Sequence, residues 1–152
     1  MLGRLTAAIL IGFAATGAEA ANLKIVDIKA SLFLESSGQF SEPLADGASL
    51  SNLAKGDGPD KRLASGVLLD LTFSGDKNSA PKFATATVDV LQTNHAGQQI
   101  VTHKGFDHFV FGPDGVEHKA FLMENATCMP LQVVVHANKT SKTLRLAFDC
   151  KG

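Results

Sequence analysis

Histidine is the residue of this 152-residue chain with the widest chemical repertoire, because imidazole binds zinc and copper and also transfers protons. His108 and His118 lie on either side of a Gly-Pro-Asp-Gly turn sequence. If residues 106–111 and 119–124 are strands that pair across this turn, the two imidazoles approach each other. The spacing therefore predicts that this pair forms part of a copper or zinc site. The chain contains five histidines: His95, His103, His108, His118 and His136.

Two methionines and a further histidine are candidates to complete such a site. Thioether sulfur is a soft ligand that suits Cu(I), so Met123 and Met129 are candidate ligands beside His118 and His136. The chain lacks the compact His-x-His or Met-rich clusters expected of a dedicated copper carrier. The alternative is that the histidines are surface residues and the methionines fill the core. Both interpretations remain open at the level of the sequence.

Motifs that indicate an enzyme are absent. The sequence contains no Gly-x-Ser-x-Gly, no Gly-x-x-x-x-Gly-Lys and no His-Glu-x-x-His. A small secreted hydrolase is kept as a third hypothesis, because active sites can be assembled from residues that are far apart in sequence.

Residues 36–65 form the longest stretch without a regular apolar pattern. This stretch is rich in glycine and proline and carries Asp46, Asp57 and Asp60. Long loops on a rigid scaffold are where such domains bind their ligands. Residues 36–65 are therefore predicted to be a binding loop, and the alternative is that the aspartates belong to ordinary turns.

The only two cysteines flank two alternating runs near the end of the chain. Residues 131–136 and 144–149 are predicted to form a hairpin, in which a turn at Lys139 and Thr140 places Val135 opposite Leu144. This register brings Cys128 close to Cys150 at the open end of the hairpin. One disulfide between them is the simplest interpretation for an exported protein.

Residues 1–20 have the pattern of a secretory signal peptide. Arg4 supplies a positive charge, a short apolar run follows, and Ala18-Glu19-Ala20 is a typical cleavage signal. The apolar run is too short for a membrane anchor, and no later stretch is long enough to span a membrane. We expect cleavage after Ala20, with Ala21 as the second choice, and a periplasmic or secreted protein of bacterial type.

The composition argues against several classes of partner. The formal net charge is −1 without a basic run, which argues against nucleic acid. The chain has ten phenylalanines but no tryptophan or tyrosine. This composition counts against sugar binding, and it lacks the tryptophan and tyrosine that mark true immunoglobulin domains.

Period-two alternation predicts an all-β fold of about eight short strands separated by turns. Residues 21–152 are therefore expected to form a single antiparallel β-sandwich, immunoglobulin-like or Greek-key in connectivity. A short strand within residues 39–44 and a turn of helix at residues 49–54 are also expected. The main strands are predicted at residues 23–35, 66–73, 83–91, 98–104, 106–111, 119–124, 131–136 and 144–149.

These observations predict an exported, non-enzymatic binding or accessory protein of the bacterial cell envelope. Its partner is an unidentified protein or small ligand, and no cofactor is required. The alternative is a periplasmic metal-binding protein that holds copper or zinc.

Overall fold

The computed structural model describes residues 22–51, 64–94, 96–124 and 129–149. These residues form nine β-strands and no helix, which confirms the all-β prediction. The strands are β1 (Lys24–Leu34), β2 (Gln39–Phe40), β3 (Ala48–Ser51), β4 (Ala64–Ser74), β5 (Ala86–Thr93), β6 (Gln99–Phe106), β7 (Val116–Glu124), β8 (Leu131–Ala137) and β9 (Thr140–Asp149).

The strands form two sheets, as expected for a β-sandwich. One sheet has the order β2-β1-β4-β7 and the other has the order β3-β9-β8-β5-β6. Neighbouring strands are antiparallel with one exception, which is that β3 runs parallel to β9. The prediction of purely antiparallel sheets was therefore wrong at this edge.

The core is built from the inward residues of alternating strands. In β4 the alternation predicted from the sequence holds, since Val67, Leu69, Leu71 and Phe73 are completely buried. Burial of such side chains contributes roughly 1.5–3 kcal/mol each. The other strands supply Ile28, Ala30, Leu32, Leu34, Ala86, Val88, Val90, Met123, Leu131, Val133, Val135, Ala137, Leu144, Leu146 and Phe148.

Two of the elements predicted from the sequence were wrong. A helical turn was predicted at residues 49–54, but residues 49–51 belong to β3, and residues 52–54 lie outside the described residues. Residues 107–110 are not in a strand, and β7 pairs with β4 along its whole length. The reason is that Phe109 and Phe111 are both buried, so this segment turns inward and covers the side of the sandwich where β6 and β7 are the edge strands.

The C-terminal hairpin forms, but its register differs from the predicted one. Ala137 lies opposite Thr140, so the turn is Asn138-Lys139, and Val135 faces Lys142 instead of Leu144. Asn138 has a φ of 52°, a left-handed conformation that asparagine adopts more readily than a β-branched residue such as threonine. The shift is two residues, so the same side chains still face the core.

Candidate functional site

The structure distributes the predicted metal ligands over separate parts of the molecule. His118 lies on the outer face of the four-stranded sheet, and His136 lies on the outer face of the five-stranded sheet. Met123 points into the core and is only 7% exposed, whereas Met129 is half-buried just before β8. These four residues therefore do not form one centre.

His108 follows β6 in the segment that closes the sandwich, and it has a φ of 51°. Its Nδ1 lies 2.6 Å from Oδ1 of Asp107, and its carbonyl oxygen accepts a hydrogen bond of 2.9 Å from Nζ of Lys119. The hydrogen bond and positive charge of His108 hold the pKa of Asp107 below its usual value. His108 thus pairs with its own neighbour in sequence.

His118 makes a contact pattern that superficially resembles a catalytic triad. Its Nδ1 lies 2.9 Å from Oδ1 of Asp70 and 3.3 Å from Oγ1 of Thr72. A nucleophile–base–acid relay requires the hydroxyl and the carboxylate to contact different ring nitrogens. Here both contact the same nitrogen, so this group is not arranged for nucleophilic catalysis.

Of the three aspartates in the predicted binding loop, the structure describes only Asp46. Oδ1 of Asp46 accepts a hydrogen bond of 2.6 Å from the backbone N–H of Arg145, so Asp46 fastens the start of β3 to β9. Asp57 and Asp60 lie outside the described residues, as do His95 and both cysteines, Cys128 and Cys150.

An apolar hollow on the outer face of the four-stranded sheet is a site that the sequence analysis missed. It has a volume of about 330 Å³ and is walled by Phe33, Phe40 and Leu122. The two phenylalanine rings lie 5.4 Å apart at 60°. Phe40 and Leu122 are 46% and 48% exposed, so two of the apolar walls of the hollow are open to solvent.

The floor of this hollow is a glycine. Phe33, Gly66 and Glu124 form one cross-strand row, in which a side chain is missing only at the middle position. A Cβ atom at Gly66 would lie 2.9 Å from the carbonyl oxygen of Met123 and 3.5 Å from Cδ1 of Leu122. The available signal in the sequence is an apolar residue at an outward position, since Phe33 and Leu122 occupy positions where the alternation expects polar residues.

A second cluster lies on the outer face of the five-stranded sheet. Oδ1 of Asp89 is 2.6 Å from Nδ1 of His103, and Oδ2 of Asp89 is 3.7 Å from Nε2 of His136. One carboxylate thus lies between two imidazoles on three adjacent strands. In the side-chain conformations present, no three His, Cys, Asp or Glu residues among those described are grouped to hold a metal ion.

A wider groove lies at the end of the sandwich where the chain enters β1. Its walls include Lys24, Lys82, Lys139 and Phe83, and Phe83 is 83% exposed. Exposed lysines beside turns are ordinary solvated surface. The apolar hollow is therefore the stronger candidate for a binding site.

The chain matches no protein-family model and no curated protein. Across the described ranges there is also no helix of the length and apolarity needed to cross a membrane.

Proposed function

We propose that this protein is an exported, non-enzymatic binding protein of the bacterial cell envelope, and that the hollow around Gly66 contacts its partner. The supporting observation is the concave group of exposed apolar side chains on the outer face of a sheet. Exposed patches of this kind mark interaction surfaces, and the volume of about 330 Å³ falls at the lower end of ligand-site sizes.

The surroundings of the hollow suggest the chemistry of the partner. The walls are aromatic and aliphatic, and the exposed carboxylate of Glu124 lies at the rim. Aromatic faces and a carboxylate both attract cations. The partner is therefore proposed to insert an apolar side chain that is flanked by a lysine or arginine.

Site-specific photo-crosslinking tests this proposal. A photoreactive residue is placed at Phe40 or Leu122 in cells that make the protein, and at Val101 on the other sheet as a control of similar exposure (55%). We expect one adduct of defined mass at both hollow positions and none at the control. Equal labelling at all three positions, or no adduct at the hollow, would contradict the proposal.

A matched variant sharpens the experiment. Glu124→Gln keeps the shape of the rim and removes its charge. In the parent protein we expect the yield of the adduct at Phe40 to fall as the ionic strength of the medium rises. In the variant we expect the yield to be insensitive to ionic strength. Circular dichroism of each variant checks that the fold is intact.

The strand order supports a finer proposal about the fold, namely an immunoglobulin-type sandwich. In that arrangement strands A, B and E share one sheet, and strands C, F and G share the other. Here β1, β4 and β7 are neighbours in one sheet, and β5, β8 and β9 are neighbours in the second. β6 then takes the position of the C′ strand, beside β5.

Export and the disulfide are proposed on sequence grounds. The signal-like pattern of residues 1–20 supports cleavage after Ala20, and the sequence positions of Cys128 shortly before β8 and of Cys150 directly after β9 support a bridge. The intact mass of the isolated protein tests both. We expect a chain that begins at Ala21 and is two hydrogens lighter than its reduced form. Free thiols in the denatured, unreduced protein would exclude the bridge.

A further inference from the structure

The cluster of Asp89, His103 and His136 places one carboxylate between two imidazoles on neighbouring strands, whereas an ordinary surface ion pair contains only two side chains. Asp89 is the direct cross-strand partner of His103, and His136 is the direct partner of Thr87, two residues before Asp89. Side chains at such direct and diagonal positions on one face of a sheet are close enough to share a ligand. All three belong to a rigid sheet and not to a loop.

We propose that Asp89, His103 and His136 bind one divalent transition-metal ion of the zinc or copper type. Two imidazole nitrogens and one carboxylate oxygen are a donor set that suits both ions, with water completing the coordination. This site is independent of the hollow around Gly66, because the two lie on different sheets.

Metal binding requires a rearrangement of side chains only. At present the two imidazoles contact different oxygens of Asp89, at 2.6 and 3.7 Å, so the three donors do not converge on one point. The side chains of His103 and His136 are 61% and 48% exposed, so solvent and not packed protein surrounds much of each ring and leaves space for it to turn. If both imidazole rings turn toward one point beside a carboxylate oxygen of Asp89, the two nitrogens and that oxygen can bind the same metal ion. The backbone stays in place.

His118 supplies a natural comparison within the same molecule. It pairs with Asp70 at 2.9 Å on the other sheet and is 59% exposed, which closely matches the pair of His103 and Asp89. On this face, however, no second imidazole contacts the carboxylate in the described part of the chain. A single histidine and a single carboxylate bind a divalent ion more weakly than three converging donors.

Isothermal titration calorimetry with ZnCl₂ and, separately, CuCl₂ on chelator-treated protein tests the site. The variants are His103→Gln and His136→Gln, with His118→Gln as the matched control. We expect one ion per chain in the parent and the control, and a loss of affinity of roughly tenfold or more in each of the first two variants. Tighter binding of copper than zinc is expected for this donor set.

Histidine ring resonances give a second readout that does not depend on affinity. In a zinc titration followed by NMR, the signals of His103 and His136 should shift together and those of His118 should stay. The proposal is overturned if the parent binds neither ion, if both variants bind as well as the parent, or if His118→Gln loses as much affinity as they do.

Discussion

The two sides of the sandwich are each closed by a lysine–carboxylate pair, but in different surroundings. On one side, Nζ of Lys142 in β9 donates to Oδ1 of Asp27 (3.2 Å) and to the carbonyl oxygen of Val26 in β1 (2.7 Å). On the other side, Lys119 pairs with Glu117 beneath the segment that joins β6 to β7. The first pair is 42% exposed on both partners, whereas the second is 19% and 17% exposed.

The second side also contains an aromatic cluster. Phe109 meets Phe73 edge-on at 5.1 Å and stacks on Phe111 at 6.0 Å, and Nζ of Lys119 lies 4.9 Å from the centre of the Phe109 ring. Among the residues that the structure describes, no aromatic ring contacts the pair of Lys142 and Asp27 in this way. Because water screens the exposed pair more strongly than the half-buried one, we expect the side with Lys119 to contribute more to stability than the side with Lys142.

The largest effect is expected from Phe109→Ala. This substitution opens a cavity beside Phe73 and Phe111, and we expect the free energy of unfolding to fall by about 3–5 kcal/mol in urea denaturation. Phe83→Ala is the matched control, because Phe83 is 83% exposed and its loss should change stability by less than about 0.5 kcal/mol. Similar losses in both variants would mean that residues 107–111 do not close the core.

An intermediate effect is expected from Lys119→Met. The variant leaves the carboxylate of Glu117 partly buried without its cation, and it removes the donor to the carbonyl oxygen of His108. We expect a loss of roughly 1–3 kcal/mol. Lys142→Met makes the same change at the exposed pair and should cost less. The comparison between the two sides fails if Lys142→Met proves to be the more damaging variant.

The smallest effect is expected from Asp27→Asn. Partial burial raises the pKa of Asp27, but the hydrogen bonds from Lys142 and the N–H of Ile28 and the nearby positive charges outweigh it, so the pKa is lowered overall. The folded state therefore favours the carboxylate. Because the pair is well exposed, its contribution should be under about 1 kcal/mol at neutral pH.

The pH dependence of this contribution has a definite sign. A lowered pKa in the folded state stabilises the protein above the unfolded value, about 3.9, and this stabilisation disappears as the pH falls through the folded value. The difference between parent and Asp27→Asn should thus be present at pH 7 and vanish in acid. Urea denaturation of both proteins at pH 7 and in acid measures this difference in the free energy of unfolding. A difference that grows in acid would contradict the lowered pKa of Asp27.

The sequence predicted the core well because alternation reports burial directly. Val67, Leu69, Leu71 and Phe73 were placed correctly from their spacing alone. Alternation does not report what lies beside a strand, however. The parallel position of β3 and the inward turn at Phe109 both depend on contacts between distant segments.

The candidate sites were less predictable for the same reason. Asp89 and His103 are fourteen residues apart and His136 lies on another strand, so only the strand order brings the three together. The hollow depends on the cross-strand row of Phe33, Gly66 and Glu124, which cannot be assigned before the register of two strand pairs is known.

The position of β9 has a consequence for the newly made chain. β9 lies between β3 and β8, although all the other described strands are synthesised before it. Until β9 emerges, the backbone edges of β3 and β8 lack the strand that separates them, and Leu131 and Val133 lack their cross-strand neighbours Leu146 and Leu144. Nascent chains that stall before Thr140 should therefore associate with one another through β8, and a chaperone that holds extended segments would protect them.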